Sequence, residues 1–402
     1  MSEIIHEKNW KKNIAYLLTS QAISMIGTML VQYAIIWHIT LSTSSGRVIG
    51  LMSCIGLVPM ILVMPYGGAL ADYYNRKKIA IISDGCVAIV SMLLAIALFG
   101  NSDMKNNIPL LLGVLLIRSV GQGFQLPAVS SIIPQMTPEK YLLRVNGIDQ
   151  TIQAAMMLVS PALSGALLAG LSLEWILLID FITAIIGISV MLFKVKTPLL
   201  SPAKEKSIKG IGEIKTGIEY IKANRILITL ITAGFLGSIL STAASNLSPL
   251  QVTRKFHGGV WQLSAIEIGF SCGMLLGGLI ISIGDSFKNK IKVIALGYAL
   301  LIIPFILLGI TSNFWIYLAT MVVIGSVVPI SRTAMISLIQ SETDNEHMGR
   351  VMSVVTMIIS IASPTTMLIL GPISDILSID WIMVISGIML IPLVLWISRK
   401  RF

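Results

Sequence analysis

Charged residues are scarce in this chain. They make up 12% of its 402 residues, where a soluble globular protein carries about a quarter. That shortage, sustained over this length, excludes a water-soluble enzyme, a disordered protein and a disulfide-stapled secreted domain. Cysteine is nearly absent as well. Cys54, Cys86 and Cys272 lie far apart inside apolar runs, form no metal or redox spacing, and read as small core hydrophobes. Four histidines are scattered, with no H-E-x-x-H, no D-D-x-x-D, no Ser/His pairing and no G-x-x-x-x-G-K-[ST] anywhere. A membrane-embedded transferase and a nucleotide-driven pump both lose their chemistry. The expected catalytic set, metal and cofactor are therefore none, and the chain is not expected to be an enzyme. What it has in plenty is apolar: 55% hydrophobic residues and a mean hydropathy of +0.87. The class is integral membrane protein.

A helix needs about 20 apolar residues to cross the bilayer core. Charge clusters and turn residues cut the chain into twelve such runs, near 13–37, 48–71, 79–100, 108–131, 147–170, 174–193, 226–250, 260–283, 291–310, 313–335, 350–372 and 380–397. The first run is too long for a cleavable leader and lacks a small-residue cleavage site, so it is expected to stay in the membrane. An even number of spans puts both termini on one side. Of the 29 Lys and Arg, 24 fall on the flanks shared with the termini, four on the opposite flanks, and Arg118 lies within a span. Basic residues accumulate in the cytoplasm, so both termini are expected there. The same asymmetry accounts for a net charge of +10 with no nucleic-acid partner.

The one long hydrophilic stretch, Lys194 to Arg225, follows the sixth span. Its Pro, Gly and Lys content marks a linker. The part after it reads as an amphipathic surface helix, with Ile211, Ile214, Ile218 and Ile221 on one side. The expected domains are a bundle over 1–197, a linker over 198–222 and a second bundle over 223–402. The two halves echo each other. Arg144 and Trp175 recur as Arg350 and Trp381 at one common offset, and Ser160-Pro161 recurs three residues short of it as Ser363-Pro364. Two parallel six-helix repeats around a central site make a transporter architecture.

Several residues stand out against the apolar background. The loop after span two runs Gly68-Ala69-Leu70-Ala71-Asp72-Tyr73-Tyr74-Asn75-Arg76-Lys77-Lys78. Gly68 and Ala71 are small enough for close helix approach. Asp72, at a helix end, can pair with Arg76 or accept from the amides that open span eleven. With Gly68, Arg76 and Lys77 it reads as a gating element, the alternative being an ordinary basic loop. Asn75 is expected to tolerate a left-handed turn. Arg118 in span four either lines a wet cavity or ties spans together through backbone carbonyls, because a charge at the bilayer centre costs at least ~2.5–3.5 kcal/mol. Acids within spans are few: Asp84, Asp149, Asp180 and Glu267. Asp180 and Glu267 fall some four residues outside the midplane, roughly 6 Å at 1.5 Å per residue. Ionisable groups at such depth are the ones that relay protons. The proton-coupling set is read as Glu267 first, then Asp180, Asp84 and Arg118. Gln21, Gln32, Gln122, Gln125, Gln153 and Asn246, with Arg118, are the polar groups suited to an amphiphilic ligand; their alternative role is helix-to-helix hydrogen bonding.

The 68–78 loop is close to the pattern G-x-L-A-D-R-x-G-R-K of the major facilitator superfamily, with Tyr73 and Asn75 departing from it. Ile117-Arg118-Ser119-Val120-Gly121-Gln122-Gly123 resembles the span-four R-x-x-x-G-x-G of proton-coupled members. Ser160-Pro161-Ala162-Leu163-Ser164-Gly165 keeps the proline and final glycine of the antiporter pattern and puts Ser at two glycine positions. With Ser20-Gln21-Ala22-Ile23-Ser24 and Gln32 in span one, the whole chain resembles the macrolide-efflux (Mef-type) branch of drug:proton antiporters. That resemblance implies an all-α membrane protein of twelve transmembrane helices in two six-helix bundles. It also implies proton-driven efflux of hydrophobic drugs across the bacterial cytoplasmic membrane. The partners then expected are a small amphiphilic or hydrophobic substrate, protons and lipid, acting on a monomer. The rival reading is export of a siderophore or another endogenous metabolite.

Overall fold

The computed structural model describes residues 2–101, 103, 107–197, 210–283, 290–344 and 347–399; the side chains of 2–9, Asp72, Leu143, 210–215 and 282–283 lie outside that description. Among the described residues there are fourteen α-helices and no strand: α1 Ser2–Thr43, α2 Gly46–Tyr73, α3 Arg76–Gly100, α4 Ile108–Met136, α5 Leu142–Gly170, α6 Leu173–Lys194, α7 Gly210–Ala223, α8 Arg225–Asn246, α9 Ser248–Phe256, α10 Val260–Ile283, α11 Lys290–Ile310, α12 Phe314–Ser341, α13 Met348–Ser374 and α14 Ile379–Arg399. Twelve stretches are long and apolar enough to cross a membrane, with α8 and α9 together making the seventh. In hydrocarbon every backbone N–H and C=O must be satisfied within its own segment, which is why the apolar runs are helices throughout. The protein is a multi-pass membrane protein.

Asparagine opens four of these helices. The Asn75, Asn107, Asn224 and Asn313 side chains accept from the amides of Lys78, Leu110, Ile226 and Trp315 at 3.2, 3.2, 2.9 and 2.8 Å. Each cap satisfies donors that the first helical turn leaves over. Four exposed tryptophans, Trp175, Trp261, Trp315 and Trp381, stand at the starts of α6, α10, α12 and α14. All four are ends opposite the basic flanks, the placement of an interfacial aromatic belt. One span reading and the reading of the cysteines differ from the structure. The seventh span is interrupted short of 250: α8 ends at Asn246 and α9 starts at Ser248, with Pro249 in its first turn. The cysteines are not all core: Cys86 is exposed, and Cys54 and Cys272 are half-buried.

Contacts group the chain into two compact units, Met1–Ile39 with Ile55–Ile208, and Thr40–Cys54 with Lys209–Phe402. In the first, α3 packs against both α4 and α6. In the second, α12 packs against α10 and α11, α11 against α14, and α8 against α13 and α14. The linker helix α7 sits on α13, where a Cβ at Gly217 would stand 3.0 Å from the Arg350 carbonyl oxygen. The Tyr220 hydroxyl donates to Asp344 at 3.0 Å and its ring stacks on His347. Ile221 is buried while Ile218 is exposed, and Ile211 and Ile214 fall outside the described side chains.

Candidate functional site

Arg118 is buried in the first unit, 3% exposed. Its Nη1 donates to Asp180 Oδ2 of α6 at 2.5 Å and to Ser91 Oγ of α3 at 2.5 Å, and its Nη2 donates to the Thr28 carbonyl of α1 at 3.0 Å. Ser91 in turn donates to Asp180 Oδ2 at 2.7 Å. Four helices therefore meet at one ion pair. α1 reaches it because position 27 is glycine: a Cβ there would lie 2.8 Å from the Asp180 Cα. Asp180 is 1% exposed, so the guanidinium is neutralised inside protein rather than in an open cavity. The geometry follows the second sequence reading of Arg118: it ties spans together, through a carboxylate as well as a backbone carbonyl. Removing either partner of such a pair strands the other charge, at a cost near 3–5 kcal/mol.

A second polar group lies nearer the basic end of the same unit. Gln125 Nε2 donates to Asp84 Oδ1 at 2.5 Å and stands 3.5 Å from Gln21 Oε1. The other cavity candidates do not join them. Gln32 is exposed about three turns further along α1, Gln122 is half-buried, and Gln153 donates to Asp149 one turn back on α5 at 2.8 Å. Asn246 belongs to the second unit, where it accepts from Ser53 Oγ at 3.3 Å and donates to Ser363 Oγ at 3.2 Å. Ser363, one member of the repeated Ser-Pro pair, is thereby a site neighbour that sequence reading did not single out for that role.

Glu267 is different from Asp180 in kind. It sits in α10, half-buried, and among the described residues it has neither ion pair nor hydrogen bond. The α10 helix is fixed by a seam of small residues. Cβ atoms at Gly269, Gly273 and Gly277 would stand 2.9 Å from Leu318 Cδ1, 2.9 Å from the Ser326 amide nitrogen and 3.1 Å from Ser326 Cα, all in α12. Glu267 lies about 200° around the helix from Gly269 and about 80° from Gly277, beside that seam and not within it. Packing thus holds the helix through the glycine seam and leaves the Glu267 carboxyl without a partner among the described residues.

The basic loop after α2 is differently built from its sequence reading. Asn75 has φ −63° and ψ 109°, so it is an extended cap residue and not a left-handed turn. A Cβ at Gly68 would meet no atom within 4 Å, whereas one at Gly67 would lie 2.6 Å from the Gly123 carbonyl oxygen. The close approach of α2 to α4 is one residue earlier than expected, facing Gly123, Phe124 and Pro127. Arg76 donates to the carbonyls of Ala71 at 2.8 Å and Ser131 at 2.7 Å, joining the end of α2 to α4. Lys77 donates to the carbonyls of Leu192 and Val195 at 2.9 and 2.7 Å, where a cation meets the negative end of α6. The side chain of Asp72 lies outside the described residues.

The model of the Major Facilitator Superfamily matches residues 17–365 and 283–401. The chain belongs to that superfamily. Macrolide efflux protein A of Streptococcus pyogenes is 29% identical over 386 residues, 95% of this chain and 94% of that protein. The enterobactin exporter EntS of Shigella boydii is 24% identical over 280 residues, 66% of this chain and 63% of that protein. Among solved structures, the nucleoside transporter NupG superposes with a TM-score of 0.71 at 15% identity, covering 97% of this chain and 99% of that one. The fold and the relatives are those of transporters. Among the described residues no group of three or more His, Cys, Asp or Glu could hold a metal ion.

This major facilitator chain carries one further polar hub, which sequence reading missed. Asp375, just past α13, accepts from the Gly46 amide at 2.7 Å, the Arg47 amide at 3.0 Å and Ser45 Oγ at 3.1 Å. It also accepts from Arg254 Nη2 at 2.7 Å, and Arg254 donates to the carbonyls of Ser44 and Ser374 at 2.5 Å each. The start of α2, the end of α9 and the end of α13 are bound through one carboxylate. Partial burial pushes its pKa up, but the amide, guanidinium and hydroxyl donors outweigh that and hold it below the usual carboxylate range. Charge counting had used Arg254 only as an outer-flank cation. The signal available was an acid placed directly after a span, with the partner amides far away in sequence.

Proposed function

We propose that this protein is a proton-coupled exporter of hydrophobic drugs, macrolides among them, across the bacterial cytoplasmic membrane. Both termini lie in the cytoplasm, and the two bundles, taken as 1–197 and 223–402, alternate access to a site between them. The observation that carries the reading is similarity to macrolide efflux protein A along nearly the whole of both chains. A likeness confined to a few motifs supports membership of the superfamily; one that spans 95% of the chain supports a shared task.

The contrast between two intramembrane carboxylates supports the coupling. Asp180 is held by Arg118 and Ser91. Protonating it strands a buried guanidinium, so it positions helices and is the poorer carrier. Glu267 has nothing to lose among the described residues. A group that loads a proton from outside and releases it inside needs that freedom. Asp84, held through Gln125, stands second. Gly68, Asp72, Arg76 and Lys77 act as the cytoplasmic gate, and the Asp375 hub as its outer counterpart. Gln21, Gln125, Gln122 and Asn246 supply neutral polar contacts to the drug.

Similarity to the enterobactin exporter supports the rival reading, export of a siderophore or another metabolite. A susceptibility panel separates them. Expressed in cells stripped of their own pumps, the protein should raise the inhibitory concentration of macrolides. Unchanged susceptibility together with secretion of a siderophore would replace drug export by the rival.

A further inference from the structure

The start of α1 and the start of α5 enclose a groove of about 510 Å³. Its walls are aliphatic, with Ile14, Leu18 and Ile23 from α1 facing Ile148 and Ile152 from α5. From Ile14 to Ile26, the last α1 residue that lines it, the helix rises about 18 Å, which is a little over half of a ~30 Å hydrocarbon core. The mouth is of opposite character. Lys11 and Arg144 line it, and Trp10 and Tyr141 stack there with centroids 4.9 Å apart. Lys11 Nζ lies 5.9 and 6.0 Å from those two rings, and Lys140 Nζ 5.1 Å from the Tyr141 ring. Among the described residues no carboxylate pairs with Lys11, Lys140 or Arg144.

Three cations with no carboxylate partner among the described residues, at one end of a long aliphatic slot, fit one chemistry, an amphiphile with a negative head and a hydrocarbon tail. A neutral apolar drug gains nothing from the cations, and a cationic one is repelled. Basic pockets between spans on the cytoplasmic side are headgroup sites. We infer that the α1–α5 groove binds an anionic phospholipid of the inner leaflet. Its phosphate sits between Lys11, Lys140 and Arg144 at the rim of the Trp10–Tyr141 stack, and an acyl chain lies along the aliphatic wall. The leaflet rests on the orientation proposed above; the headgroup chemistry does not.

The test is lipid retention by the purified full chain in detergent, read by native mass spectrometry. Phosphatidylglycerol and phosphatidylcholine of identical chains are offered, with inorganic phosphate and diacylglycerol as separate arms. Each basic residue contributes about fivefold in affinity for an anionic surface. Phosphatidylglycerol should therefore be retained well above phosphatidylcholine, and Lys11→Gln with Arg144→Gln should lower its retention on the order of 25-fold. Lys78→Gln, an exposed cation elsewhere on the same side, should leave retention unchanged. Ile148→Trp, which fills the slot, should lower retention with the cations intact. Equal retention of the two lipids, capture of phosphate as tight as that of the lipid, or an equal loss in Lys78→Gln would overturn the site. So would displacement of the lipid by a macrolide, which would make the groove part of the drug path. A cysteine replacing Lys12 and labelled from one side of intact cells reads the orientation separately: labelling from outside removes the leaflet but leaves the detergent result standing.

Discussion

Arg118 and Asp180 are the residues where stability and transport are most easily confused. Their pair is buried, and Asp180→Asn leaves the guanidinium with neutral acceptors and no counter-charge from α6. A loss near 3–5 kcal/mol is expected, read as a fall in the thermal unfolding midpoint of detergent-purified protein. Arg118→Leu combined with Asp180→Leu removes both charges and should recover most of that loss. Wild-type stability in Asp180→Asn alone would contradict the pairing. Asp375 gives a contrasting case at the end opposite the basic flanks. Its folded pKa lies below the unfolded value, so its contribution is fully present above about pH 4 and lost only as pH falls through the folded value. The midpoint difference between wild type and Asp375→Asn should stay constant from about pH 8 to about pH 5 and shrink under more acid conditions. That Arg118 must be sheltered was legible from composition alone, since a lone cation in a span has few other fates. Its partner was not. Asp180 lies 62 residues away on a helix with an ordinary apolar pattern, and only the packing of α3, α4 and α6 brings the two together.

Helices were the easiest level to read, because hydrocarbon tolerates little else and charge clusters mark the ends. The asparagine caps were less plain: Asn75, read as fit for a left-handed turn, is an extended cap that accepts from the Lys78 amide. What stayed hidden was which small residues touch. The neighbours Gly67 and Gly68 are indistinguishable as letters, yet a Cβ at the first meets the α4 backbone and one at the second meets nothing within 4 Å. Gly67→Leu should therefore disrupt the α2–α4 contact, with a loss on the order of 1–3 kcal/mol or failure to fold. Gly68→Leu should leave stability unchanged. The readout is the unfolding midpoint of each variant, and equal effects would put the contact elsewhere. Gly273→Leu should likewise break the α10–α12 seam, since backbone atoms of Ser326 and Gly325 stand within 3.0 Å of the added carbon. The break before Ser248 was missed for a related reason: α9 is short and polar, and its first five residues are buried.

Over the whole molecule, the even number of spans and the 24-to-4 division of basic residues frame the proposed topology. The proposed alternation requires the ends of α2 and α13 that carry the basic loops to part in every cycle. Cysteine pairs placed across those two ends, in a background lacking Cys54, Cys86 and Cys272, should block export when cross-linked and restore it on reduction. Full activity with the link in place would exclude the motion. Substrate identity is the level least legible in the residues, because apolar walls and scattered amides accept many shapes. The proposed coupling is more sharply testable, since it is assigned first to one carboxyl, Glu267. The decisive measurement is drug-induced proton flux in proteoliposomes with an imposed pH gradient, comparing wild type with Glu267→Gln. The account predicts that the variant still binds drug and exchanges it downhill but moves no protons and builds no gradient. Unchanged proton flux in Glu267→Gln would contradict it.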